Sequence, residues 1–191
     1  MTPPADPPIE AREPPAGVEI RTESGADRLA ICDVVARAFG SEVEGRLVDA
    51  IRASTLFVPE LSMVAELDGR IVGHVMISFA ALHDGHLVHR IAVLAPLAVA
   101  PELHRHGIGS ALTRAVTARA DERGEPLVVL EGSPVFYGRL GFEYSMPFGI
   151  HIALPSWAPP EASQVLRLGR YDPSIRGRVV FPPAFADVVE D

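Results

Sequence analysis

Residues 87–112, LVHRIAVLAPLAVAPELHRHGIGSAL, narrow the folds open to this chain more than any other stretch. Residues 87–99 are mostly apolar and long enough for a central strand, yet Pro96 stands inside them. Proline has no N–H to give to a sheet ladder, so a strand that carries one is bulged, lies at an edge or splays from a neighbour. The chain then passes Pro101 and Glu102, crosses His104-Arg105-His106 and meets Gly107-Ile108-Gly109. Beyond, Ile108, Leu112, Ala115 and Val116 recur on one face of a helix that Gly124 closes. The first N–H groups of a helix have no internal partner, and with the helix dipole they form an anion site. Gly107 and Gly109 carry no Cβ to hold an anion away from the backbone, and Arg105 adds a charge at the rim. A Gly-x-Gly pair also serves as a plain tight turn. Leu112 stands where a Gly-x-Gly-x-x-Gly pattern needs its third glycine, and no Gly-Lys-Ser/Thr triplet occurs, which argues against dinucleotide and NTPase loops.

The remaining pattern is that of one mixed α/β domain. Residues 1–16 hold six prolines and read as a disordered tail. Residues 18–21 alternate as a first strand. Ser24, Gly25 and Asp27 open a helix in which Leu29, Ile31, Val34, Val35, Ala38 and Phe39 keep helical spacing up to Gly40. Ser41 and Glu44 have capping-box spacing for a second helix, with the stripe Val43, Leu47, Val48 and Ile51. Residues 62–67 and 71–80 flank Asp68-Gly69-Arg70, a strong hairpin signal, and Gly85 turns the chain into residues 87–99. After the glycine-led helix come a short strand at 127–130, a short helix at 134–140 stopped by Gly141, and strands at 142–145 and 165–168. The order is β-α-α-β-β-β-α-β-α-β-β. The domain is expected over 17–185, with a C-terminal extension from about residue 146 and a tail at 186–191.

Composition limits the function. The 191 residues fit one domain with a sizeable core. A net charge of −8 argues against a general nucleic-acid or anionic-membrane binder. Any anionic ligand therefore needs a local site. No stretch is apolar enough to span a membrane, since residues 91–101 are too short and Pro96 interrupts them. The N-terminal residues have no apolar signal core, so a cytoplasmic location is expected. Cys32 is the single cysteine, reads as a plain thiol within a helix, and suits a reducing compartment. His83-Asp84-Gly85-His86 has two histidines but no third ligand nearby, and no metal is expected.

A second motif follows the short strand: Phe136-Tyr137-Gly138-Arg139-Leu140-Gly141-Phe142. Together, Val99-Ala100-Pro101-Glu102, His104-Arg105-His106-Gly107-Ile108-Gly109 and this Phe-Tyr-x-x-Leu-Gly-Phe segment resemble the GNAT superfamily of N-acetyltransferases, over roughly residues 18–145. Bacterial members with an extended C-terminal region are the nearest in pattern. His104 departs from the family's usual Gln or Arg, and Ser133 stands near where many members carry an asparagine. The resemblance implies a mixed, mostly antiparallel sheet flanked by helices and splayed at the fourth strand. It implies acetyl-CoA as cosubstrate. The main chain of Leu97, Ala98 and Val99 would pair with the pantetheine arm, and His104, Arg105, His106, Gly107, Ile108, Gly109 and Ser110 would surround the diphosphate. Ser133 would be a further cofactor contact, and Tyr137 would touch the cofactor and protonate the departing thiolate.

An amine acceptor must lose a proton before it attacks a thioester. Glu131, at a strand end, is the side chain taken for that role. His89, His83, His86 and Glu44 are further candidates, and a water chain is an alternative. The acceptor would be a small-molecule or peptide amine, with a homodimer left open. Residues 171–185 carry Arg176, Arg178, Phe181 and Phe185, which would lid the acceptor site, cover a sheet edge or simply pack. A different class of function, a CoA-binding sensor or interaction module without catalysis, fits the absence of an obvious base.

Overall fold

The computed structural model describes residues 13–185 of the chain. Strands β1 (Glu19–Thr22), β2 (Ser62–Leu67), β3 (Arg70–Asp84), β4 (Leu87–Val99), β5 (Leu127–Glu131), β6 (Glu143–Tyr144), β7 (Ile150–His151), β8 (Ser163–Arg167) and β9 (Gly177–Val180) form one sheet. Its main order is β1-β2-β3-β4-β5-β8-β6, and β9 links β3 to β7. Pairing is antiparallel except for β4 with β5 and β7 with β9. Helices α1 (Arg28–Phe39) and α2 (Val43–Arg52) lie between β1 and β2, α3 (Ile108–Glu122) follows β4, and α4 (Pro134–Gly138) follows β5.

Local chemistry explains the element ends. Asp27 accepts from the Ser24 amide at 2.7 Å and opens a short 3₁₀ turn that leads into α1. Gly40 ends α1 in the left-handed region at φ 69°. Ser41 accepts from the Val43 amide at 3.0 Å and donates to Glu44 at 3.0 Å, but the N-cap is Glu42 rather than the expected Ser41, because the helix starts at Val43, and the reciprocal capping box does not form. The β2–β3 turn consists of Asp68 and Gly69, both at positive φ (50° and 73°), as a two-residue hairpin of primed type requires. Arg70 already belongs to β3.

Alternation on β3 defines the two faces of the sheet. A Cβ on Gly73 would lie 2.9 Å from Leu112 of α3, so the odd residues face α3. The even residues face α2, and His74 joins a polar cluster there. Val75, Ile77, Leu112, Val116, Val128 and Leu130 fill the centre, each almost wholly buried.

Two strands escaped the sequence reading. β7 has two residues, too few for a periodic signal. β9 lies in the stretch that allowed a lid, an edge cover or simple packing, and it covers an edge. It pairs with Ala81, Leu82 and His83 of β3, beyond the end of β2. Of the tail expected over 1–16, residues 13–16 are described, and the chain turns there, with the Val18 amide donating to Pro15 at 3.1 Å. Residues 1–12 and the expected tail at 186–191 lie outside the described residues.

The polar cluster ties β1, α2, β2 and β3 together. Arg52 donates twice to Glu23, at 2.9 Å each, and the Ser62 hydroxyl donates to the same carboxylate at 2.5 Å. The fully buried His74 ring lies 3.0 Å from the Ser62 hydroxyl oxygen. Burial opposes the charge on Glu23, but His74, Arg52 and Ser62 together hold its carboxyl down at about 2. A carboxyl depressed in the folded state stabilises fully above its unfolded pKa, and that contribution is lost as the pH falls through the folded one. Stability should therefore decline from the ordinary carboxylate range down through about pH 2. Glu23→Gln should remove part of this pH dependence and cost on the order of 2 kcal/mol at neutral pH, because Arg52 loses one charged partner and keeps only Asp49, at 3.2 Å. Urea unfolding of both proteins across pH 2–7 measures this, and parallel curves would rule the cluster out as the source.

Candidate active site

The sheet opens at one place. β4 and β5 pair only through Ala92 with Val128 and Val93 with Val129. β4 runs on to Val99, whereas β5 ends at Glu131. Of the bulge, edge or splay that Pro96 allowed, the bulge is present. Val75 pairs with Leu97 and Ile77 with Leu94, so β4 spends one more residue than β3 over the same span. The Ala100 amide donates to Val72 at 2.8 Å. By antiparallel alternation Ala98 also bonds towards β3, and Leu97 and Val99 turn their N–H and C=O groups to the opened side. His104 takes up one of these groups, its Nε2 donating to the Val99 carbonyl at 2.8 Å.

The opened edge leads into the glycine loop. Arg105 (φ 63°) and Gly107 (φ 79°) are left-handed, which lets the loop reverse directly into α3. The first helical bond runs from the Ala111 amide to Gly107, at 3.0 Å. No side chain caps this end, so the amides of Ile108, Gly109 and Ser110 lead out of it. They open on a cleft of about 380 Å³. Leu97, Val99, His104, Arg105, Gly107, Ile108, Gly109 and Ser110 line it, all of them expected at the site. Ala98 does not, because its side chain points into the core on the other face. His106 is spent on the loop itself, Nδ1 donating to the His104 carbonyl at 2.9 Å. Arg37 of α1 steadies the loop entrance by donating to both Glu102 oxygens at 2.8 Å.

Two cleft arginines escaped the sequence reading. Arg114, on α3, and Arg139, just past α4, bring guanidinium groups to the same cleft. Arg114 is two turns into α3 and so shares the face of its N-terminal end, a signal that helical periodicity carries. Arg139 reaches the cleft only through the tertiary placement of α4.

Tyr137 is buried behind the cleft. Its ring makes edge contacts with Phe136 (4.7 Å between centroids) and Phe142 (5.4 Å), and Phe136 itself lines the cleft. Burial pushes the phenol well above its ordinary range, which keeps it a proton donor. Gly132 makes room for it, since a Cβ there would lie 2.4 Å from the Tyr137 Cε2 atom. Ser133 caps α4, accepting from the Phe136 amide at 3.4 Å, which leaves its hydroxyl proton for a second partner.

Glu131 is the last residue of β5, level with the point where β4 turns away. Val129 pairs with Val93, and Val93 with Ser78, so Glu131 shares the α2 face, opposite the glycine loop. Partial desolvation raises its carboxyl above the ordinary value. The other base candidates stand apart. His89 is five residues upstream of Leu94, about 17 Å along the strand, and His83 and His86 lie farther out around the β3–β4 turn. Glu44 is held by Ser41 at the start of α2.

Comparison with known proteins agrees with this arrangement. The family description "Acetyltransferase (GNAT) domain" matches residues 19–145. The uncharacterized N-acetyltransferase YjhQ of Escherichia coli K12 is 35% identical over 121 residues, covering 62% of this chain and 65% of that protein, just under two thirds of its length. The uncharacterized N-acetyltransferase YhbS of the same organism is 30% identical over 150 residues, covering 78% of this chain and 86% of that one. The crystal structure of E. coli YhbS in complex with CoA superposes with a TM-score of 0.78 at 28% identity, covering 91% of this chain and 94% of that chain. A GNAT family acetyltransferase from Brucella melitensis in complex with acetyl-CoA gives 0.71 at 30%, covering 88% and 97%.

The Glu131 carboxyl should titrate above the ordinary glutamate value of about 4.3. A side-chain carboxyl carbon-13 NMR titration, with Glu131→Gln to assign the resonance, reads this directly. A midpoint at or below that value would contradict the desolvated placement.

Proposed function

The chain belongs to the GNAT family of acetyltransferases, and from that premise we propose that it transfers an acetyl group from acetyl-CoA to a primary amine by direct attack in a ternary complex. The observation that carries the reading is the meeting of two features along one cleft: the turned-out main chain of Leu97 and Val99, and the uncapped amides of Ile108, Gly109 and Ser110. An extended pantetheine arm with two amides fits the first, and a diphosphate fits the second. Arg105, Arg114 and Arg139 supply positive charge at the cleft of a chain whose net charge is −8. The E. coli and Brucella neighbours, crystallised with CoA and acetyl-CoA, support the same ligand.

The chemistry divides between the two faces of the sheet. The acceptor nitrogen attacks the thioester carbonyl, the C–N bond forms and the C–S bond breaks. Glu131 takes the amine proton, directly or through water, and its raised carboxyl makes it a better base than an ordinary glutamate. Tyr137 gives a proton to the departing thiolate, a role that its burial and raised pKa suit. The acceptor class is a small-molecule or peptide amine, and the acidic surface favours cationic ones. Among the described residues no helix is long and apolar enough to cross a membrane. The chain holds no lysine, so transfer to an added amine is not masked by acylation of its own ε-amines.

Free-thiol release from acetyl-CoA, followed with spermidine, kanamycin and a peptide with a free α-amine, tests the reading. Turnover on at least one supports it, and tight CoA binding with none would make the protein a sensor. Gly109→Asp should abolish CoA binding in calorimetry while leaving the fold intact. A Cβ there meets only ordinary contacts, the nearest at 3.5 Å, but the carboxylate repels the diphosphate. Tyr137→Phe should lower kcat by roughly 10²–10⁴-fold, with CoA affinity within a few-fold. Undiminished turnover in a variant limited by chemistry would remove Tyr137 from the mechanism.

A further inference from the structure

The structure assigns to Gln164, on β8, the role of positioning residue for Tyr137, an assignment that rests on the acid role just proposed for that tyrosine. Gln164 is 2% exposed, in register with Leu130 of β5 and Tyr144 of β6. A buried primary amide is costly unless it is hydrogen-bonded, and a methionine or leucine would fill the same volume without that cost. Its Nε2 donates to the Gly132 carbonyl at 2.9 Å. The Gly132 amide in turn donates to Ala162, immediately before β8, at 3.0 Å. Both polar groups of this one residue are therefore fixed from the same neighbouring strand.

Gly132 is the residue that Tyr137 rests on. The closest approach is to Cε2, at 2.4 Å from where a Cβ would be, and to Cδ2, at 2.8 Å. Cε2 adjoins the carbon that bears the hydroxyl, so the contact is at the working end of the ring. Gly132 also joins Glu131 to Ser133, the cap of α4, and α4 carries Tyr137. A shift of the Gly132 carbonyl moves the surface under the phenol and the start of its helix together. Phe136 and Phe142 hold the sides of the ring with edge contacts, and Gly132 lies against its remaining edge. The Gln164 hydrogen bond thus sets how far the hydroxyl reaches towards the opened edge of β4.

A double-mutant cycle tests this in the full chain, with acetyl-CoA and the amine of the panel above that turns over fastest. Gln164→Met keeps the volume and removes the donor. It should lower kcat ~10–100-fold, the size of effect that a misplacement of about 1 Å produces, with acetyl-CoA affinity unchanged. In the Tyr137→Phe background the same change should cost nothing further, because the group it positions is gone. An equal loss in both backgrounds, or no loss in the first, overturns the assignment and leaves the tyrosine's own role standing. Wild-type turnover by Tyr137→Phe alone, or an amine panel with no turnover, removes the catalytic tyrosine and this assignment with it. Should Gln164→Met fail to fold, Gln164→Glu decides. Its buried carboxyl, while protonated, still donates to the Gly132 carbonyl, so kcat should hold at low pH and fall as the new group ionises, a dependence absent when Tyr137 is also phenylalanine. A flat profile overturns the proposal.

Discussion

Everything at the site depends on two strands parting company. β4 and β5 share only two residue pairs, and past Val93 and Val129 the sheet has an interior edge. An interior edge is costly because main-chain N–H and C=O groups that face it need partners. The protein meets part of that demand itself, with His104 on the Val99 carbonyl. The groups of Leu97 and the Val99 amide are left for a ligand that can act as a strand. The bulge at Ala95 and Pro96 makes the parting tolerable, since the strand there has one residue too many for its partner and proline needs no acceptor.

The same opening puts different chemistry on the two faces. On the α3 side lie the uncapped helix amides, the arginine-lined cleft and the ring of Tyr137. On the α2 side lies Glu131, desolvated enough to raise its carboxyl. In the proposed reaction, a thioester seated in the gap would have its proposed proton donor and proton acceptor on opposite sides, which is what an attacking amine and a departing thiolate require. The two groups are joined through Gly132, so one stretch of backbone sets both. Their environments move both pKa values upward, and each move suits the role proposed for it: a phenol that stays protonated and a carboxylate of greater basicity.

Much of this was legible in the sequence where a local rule applies. The Asp68-Gly69 turn, the Gly40 stop, the bulge at Pro96 and the loop ahead of α3 follow from backbone preferences of a few adjacent residues. Tyr137 was legible because Phe-Tyr-x-x-Leu-Gly-Phe is a recognisable segment. What the sequence did not carry is what long-range packing decides. β9 finds the far half of β3 only because β2 stops at Ser62, opposite Met76. Arg139 reaches the cleft through the placement of α4. The sequence also did not show that the Ser133 hydroxyl accepts from the Phe136 amide at the start of α4. Gln164 gave no signal, for nothing in a five-residue strand says which buried amide meets which carbonyl.

If the opened edge of β4 and the amides at the start of α3 together receive CoA, its binding protects the main chain of both. Residue-resolved amide hydrogen exchange with and without saturating CoA measures it directly. Exchange should slow at Leu97, Val99, Ile108, Gly109 and Ser110, with Ala98, already bonded to β3, unchanged. Bound CoA that leaves the Leu97 and Val99 amides exchanging at their unliganded rates would contradict it.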